Sequence, residues 1–144
     1  MKEMTDLLNI ELSNWTVLYT KLHNFHWFVK GPEFFTLHAK FEELFNIAAT
    51  NIDEIAERIL MLGGKPVATL KEVLSTTLIE EASENVSSNE MVATTIADFN
   101  KILEQIKIGL KIASDNDDDT TIDLLTGLKV SLEKEVWLLS SYLG

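Results

Sequence analysis

Two of the three histidines, His23 and His26, fall within "KLHNFHWFVKG" at residues 21–31, and the third, His38, follows twelve residues after His26. His38 has an acid four residues on, Glu42, and a second acid pair of the same spacing, Asp53 and Glu57, comes later. In a helix, residues four apart are neighbours on one face. Glu42 and Asp53 are 11 residues apart, about three turns plus 20°, so all four side chains line one stripe. Imidazole nitrogens and carboxylate oxygens together suit Fe(II), Mn(II) or Zn(II).

The alternatives are ordinary ones. Carboxylates four apart usually form a solvated face, and a lone histidine on an apolar stripe is more often a packed core residue. Two features weigh against them. His38 and Asp53 interrupt a strongly apolar helix, and Arg58 follows Glu57 as a natural salt-bridge partner. Glu42 and Asp53 lie roughly 16 Å apart along the axis, so one helix cannot bring both to one ion. A second copy related by a two-fold axis can. The axis would pass near Ile47, Ala48 and Ala49, where two alanines permit close approach, and would create two sites about 22 Å apart. His26, on the apolar stripe of the preceding helix, completes a set of two imidazoles and three carboxylates. Binding would release ligand protons, so metal uptake should weaken in acid.

These positions require long amphipathic helices. The first pattern runs from Met4 to Val29, and the second from Pro32 to Leu62, with Gly31 ending one helix and Pro32 opening the next. "GGKP" stops the second. A third pattern runs from Val92 to Ala113, with Ser87 and Glu90 spaced as a capping box, and a fourth from Leu125 to Leu143. Gly109 and Gly127 inside the last two helices each cost about 1 kcal/mol relative to alanine, which close helix contact would explain. Trp15 and Trp137 read as packing residues. Short turns make each consecutive pair an antiparallel hairpin. The long stretch "GGKPVATLKEVLSTTLIEEASENVS" between the pairs can run the length of a bundle, with "TLKEVL" as a short helix on the way. The fold class is all-α: a four-helix bundle with one long crossover, the ferritin-like arrangement, in a single domain over residues 1–144.

Composition narrows the function. Hydrophobic residues at 46% and charged ones at 24% describe a globular chain with a real core. No apolar run is long enough to span a bilayer, and "MKEMTDLLNI" lacks the features of a signal peptide, so a cytoplasmic location is expected. Without cysteine there is no thiolate site or disulfide. A net charge of −11, from 23 acids and 12 bases, disfavours direct DNA binding and favours attraction of cations.

In "HNFHWFVKGPEFFTLHAKFEELF" and "DEIAERILMLGGKP" the chain resembles the Dps family, the mini-ferritins, and the resemblance covers essentially the whole length. It implies a ferroxidase centre at a dimer interface: His26, His38 and Glu42 from one subunit, with Asp53 and Glu57 from its two-fold mate. Glu42 is a departure, since many members carry Asp there. The resemblance further implies a hollow homododecamer. Fe(II) would be oxidised by hydrogen peroxide, or by oxygen, and stored as ferric mineral, protecting against oxidative stress. Zinc or manganese could occupy the same ligands. Trp27 resembles the family's near-site tryptophan, which intercepts stray oxidising equivalents. His23 matches no ligand and reads as a structural histidine or one that supports the ligands from behind.

Classical ferritins bind iron within each bundle through Glu-x-x-His motifs, and no glutamate here precedes a histidine by three positions. In "SDNDDDTTIDLL", Asp119 and Asp123 resemble the aspartates that line the family's three-fold iron-entry pores, although acids at a helix start also serve as caps. The rival readings are a nucleoid-compacting DNA-binding protein with little catalytic role, for which the chain lacks a Lys-rich tail, and a bundle that buffers zinc.

Overall fold

The structure, a computed structural model, describes residues 1–144. Its elements are α1 (Lys2–Phe28), α2 (Phe34–Met61), α3 (Leu70–Thr76), α4 (Ser88–Asp115) and α5 (Asp119–Leu143), with no strands. α1 packs along α2 and α4 along α5, and α1 also meets α3 and α4. The four long helices and the short one are those the apolar spacing predicts. No helix is long and apolar enough to cross a membrane.

Helix ends follow local chemistry. Ser87 and Glu90 form the expected capping box at the start of α4. At the end of α2, Gly63 adopts φ +81°. Its N–H donates to Leu60 O and that of Gly64 to Ile59 O, both at 2.9 Å, the paired closure that left-handed residues permit. Gly64 is needed for a different reason: a Cβ there would lie 2.8 Å from Thr5 Cγ2 of α1. One boundary differs from expectation. Pro32 does not open α2; it lies in a turn that Gly31 begins at φ +105°, with Phe34 N–H donating to Gly31 O at 3.1 Å, and the helix starts at Phe34. α1 likewise stops at Phe28, leaving Val29 extended yet buried.

The buried apolar residues of all five elements form one continuous cluster. Trp15 is fully buried with its ring 6.0 Å from that of Phe99. Trp137 does not share this role: on α5 it is 63% exposed, because its position points away from the stripe carrying Leu125, Leu128, Leu132 and Leu139. Gly109 sits where a Cβ would lie within 2.9 Å of Leu7 and Leu125 side-chain carbons, so three helices converge on it. Gly127 meets nothing comparable, and close contact within the chain does not explain it.

The long crossover is fastened to α1 by polar side chains. Asn9 donates to Lys65 O at 3.0 Å and accepts from Val67 N–H at 2.9 Å. Asn14 accepts from Leu78 N–H at 2.8 Å and from the Thr77 hydroxyl at 2.9 Å. Lys21 donates to Glu80 O and makes a buried ion pair with Asp98 of α4, each at 2.7 Å. The connection therefore tracks α1 lengthwise, satisfying backbone groups that no sheet or helix would.

Arg58 also departs from expectation. Rather than serving its neighbour Glu57, it reaches α5, donating to Asp118 Oδ1 and Thr121 Oγ1, each at 2.9 Å. Asp118 caps α5 by accepting from Thr121 N–H at 3.1 Å. Burial alone would raise the Asp118 carboxyl, but the Thr121 hydroxyl and N–H together with Arg58 hold it below the usual carboxylate range. A depressed native pKa contributes stability that is full above the unfolded-state value and lost as pH falls through the native one. Asp118→Asn should therefore lower unfolding free energy near neutral pH by about 1.5–3 kcal/mol, the worth of hydrogen bonds to a charged group. Denaturant titrations at fixed protein concentration should show the gap from wild type closing as pH is lowered into the acid range.

Candidate metal centre

The α1–α2 hairpin brings His26 and His38 face to face. Their rings stack with centroids 3.7 Å apart and planes 12° from parallel. His26 Nδ1 lies 2.6 Å from His38 O, and His38 Nδ1 lies 2.7 Å from His26 O. A carbonyl oxygen only accepts, so each Nδ1 carries the proton and donates. In the neutral ring that leaves Nε2 with its lone pair, the atom and tautomer a metal requires. Backbone carbonyls that fix an imidazole in this way are the usual support of metal-binding histidines.

Glu42 completes this half. Its Oε1 stands 4.0 Å from His26 Nε2, too far for a hydrogen bond, so neither atom is spent on the other and both would be free to hold a metal ion. His26 is buried, while the Glu42 side chain is open to solvent. Phe34 stacks on His38 at 4.9 Å and Phe45 meets His26 edge-on at 5.2 Å. Neither aromatic was expected at the site. The signal for Phe34 was available, since it precedes His38 by four residues; Phe45 is set by the pairing of the two helices.

Asp53 and Glu57 do not join this group. Both are exposed on α2, several turns beyond Glu42, and no three histidine, aspartate or glutamate side chains of one chain enclose an ion. The two acids are nonetheless mutual neighbours. Asp53, sharing a hydrogen bond with Glu57 and repelling its charge, raises the Glu57 carboxyl above its ordinary range. Two neighbouring carboxylates that no Lys or Arg side chain bridges are a suitable donor pair for a cation.

The face between these groups consists of Asn46, Ala49 and Thr50, all exposed. Ala49 therefore lies where a neighbouring helix could approach. Ala48 does not, because it is fully buried in the core of its own chain. The expectation that both alanines face a partner is corrected: the helical turn points adjacent residues about 100° apart.

His23 packs between α1 and α2. Its Nδ1 donates to Tyr19 O at 2.7 Å, and its ring stacks on Phe45 at 3.7 Å. Trp27 is 65% exposed and its ring lies 5.3 Å from that of His23. Asp119 and Asp123 are exposed on the first turns of α5.

A family model for the ferritin-like domain matches residues 5–144. DNA protection during starvation protein 2 of Bacillus anthracis is 51% identical over 143 residues, spanning 99% of this chain and 98% of that protein. The crystal structure of Dps from Staphylococcus aureus superposes with a TM-score of 0.98 at 46% identity, covering 100% of this chain and 97% of that one. Dps from Vibrio cholerae, described as a member of a broad superfamily of ferritin-like diiron-carboxylate proteins, gives a TM-score of 0.96 at 32% identity, over 99% and 90% of the two chains. The helical hairpin with its stacked histidines, the single long crossover and these matches along nearly the full length agree: the chain belongs to the Dps family of ferritin-like proteins.

Proposed function

We propose that this protein is a ferroxidase that removes Fe(II) and hydrogen peroxide together and stores the ferric product. The observation that carries the reading is the reciprocal histidine pair beside Glu42, complete on one side and lacking acids that the same chain displays farther along the same face. A two-fold mate would place its Asp53 and Glu57 opposite His26, His38 and Glu42, so that each dimer holds two equivalent sites. Fe(II) is the substrate. The imidazoles and carboxylates hold it where a two-electron oxidant meets it in a confined place. Peroxide takes one electron from each of two ferrous ions and, with two protons, leaves as water rather than as hydroxyl radical.

The rest of the assembly follows as part of the same proposal. Twelve subunits would enclose a cavity for the mineral, and Asp119 and Asp123, meeting around three-fold axes, would form negative funnels that concentrate Fe(II). The relatives are named for DNA protection. A chain of net charge −11 achieves this chemically, by removing the reagents that cleave DNA, without binding to phosphate. A low-salt gel shift should accordingly show free DNA.

Anaerobic loading with Fe(II) followed by peroxide should give a rise in ferric absorbance, reduced at least tenfold in His38→Ala, since support and ligand atoms of such sites each contribute on the order of 10–100-fold. A zinc buffer would show no rise in either protein. Asp119→Asn with Asp123→Asn should slow iron uptake while leaving the oxidation of pre-bound Fe(II) intact; unchanged uptake kinetics would remove the pore. Ala49→Trp should yield smaller species on gel filtration together with lost iron oxidation, whereas full activity in a monomeric variant would contradict the shared site.

A further inference from the structure

Aromatic rings connect the histidine pair to a phenol farther back along α1. Tyr19 and His23, four residues apart on that helix, meet edge to face with ring centroids 4.6 Å apart. Phe45 of α2 packs against both, stacked on His23 at 3.7 Å and edge-on to Tyr19 at 6.2 Å. The same Phe45 ring meets His26 at 5.2 Å. These are the spacings of aromatic rings in contact, so a single phenyl ring bridges His26 and Tyr19. Each contact is made within one chain, between α1 and α2, and none relies on an open surface. His23 spends Nδ1 on Tyr19 O, which leaves its Nε2 as an acceptor beside the phenol. Tyr142, the other tyrosine of the chain, stands on the last turn of α5, outside this cluster.

We propose that Tyr19 is a one-electron donor to the iron site, used when a site holding a single Fe(II) meets hydrogen peroxide. This rests on the ferroxidase reading, which brings Fe(II) and peroxide together beside His26. Peroxide needs two electrons and two protons to leave as two waters, and a lone ferrous ion supplies one electron. Without a second donor the O–O bond breaks to hydroxide and a free hydroxyl radical. Tyr19 supplies the second electron by way of Phe45. Its phenolic proton leaves through His23 Nε2 and offsets one of the two that peroxide takes up. One Fe(II), one peroxide, one phenol and one proton thus become one Fe(III), two waters and one phenoxyl radical. A phenol that sheds its proton with the electron is more readily oxidised than an indole, so an electron lost first from Trp27, whose ring lies 5.3 Å from that of His23, is also replaced from Tyr19. A later Fe(II) returns the phenoxyl, with a proton, to phenol and becomes Fe(III).

The assembled protein, loaded anaerobically with one Fe(II) per site, mixed with peroxide and rapidly frozen for electron paramagnetic resonance, provides the test. A parallel sample carries two Fe(II) per site. At the lower loading, wild type and Tyr142→Phe should show a tyrosyl radical. Tyr19→Phe, which keeps the ring contacts, should lose that signal severalfold and release severalfold more hydroxyl radical to a spin trap. At the higher loading both electrons come from iron, so the tyrosyl signal should be faint and the ferric rise of Tyr19→Phe should match wild type. A tyrosyl signal that survives Tyr19→Phe overturns the proposal. So does half-loaded wild type with no protein radical, or with one on tryptophan only, and so does equal hydroxyl-radical release from the two proteins. Any of these results alongside a ferric rise at two Fe(II) per site refutes this inference alone, whereas no ferric rise refutes the ferroxidase reading and this inference with it.

Discussion

The mutual hydrogen bonding of His26 and His38, each ring to the other's backbone carbonyl, is the constraint on which the site depends. It joins the last turn of α1 to the first turns of α2 across a short loop, so the hairpin angle and the ring positions are set together. It also decides the chemistry. With both Nδ1 atoms committed as donors, the rings have one free nitrogen each, and the stacking at 3.7 Å keeps those atoms on neighbouring planes. Imidazoles held this way would lose little side-chain freedom on binding an ion.

The remaining architecture keeps that hairpin fixed and its outer face open. Asn9, Asn14 and Lys21 tie the crossover along α1, away from the α2 surface that carries Glu42, Asp53 and Glu57. Arg58 uses its charge on Asp118 and Thr121 of α5 and so does not neutralise the acid beside it. Asp53 and Glu57 are left close together without a cationic partner, an arrangement that carries an electrostatic cost in the free chain and that a divalent ion would relieve.

Much of this was legible in the sequence. The four helices follow from 3- and 4-residue apolar spacing, and the capping box and the Gly63–Gly64 stop from local residue types, because such signals act within one turn. The grouping of His26 with His38 and Glu42 was readable because a short loop leaves a hairpin few alternatives. What escaped depended on tertiary direction. Arg58 turned to another helix, Ala48 turned inward while Ala49 turned out, and Trp137 lies off its helix's buried stripe. Phe45 became a wall of the site only through the pairing of α1 with α2. The turn at Pro32 was misplaced by two residues because Gly31 at positive φ inserts a bend before the helix can begin.

The central claim, that every site takes its imidazoles from one chain and its distal acids from another, is tested most directly by subunit complementation. His38→Ala and Glu57→Gln proteins, each inactive alone, are unfolded together, refolded as an equal mixture and assayed for Fe(II) oxidation by peroxide. A shared site predicts recovery, since each mixed dimer has one site with both mutations and one with neither, giving about one quarter of wild-type activity under random two-fold pairing. A mixture that stays as inactive as its two parents, despite proven mixing of subunits, would contradict the account.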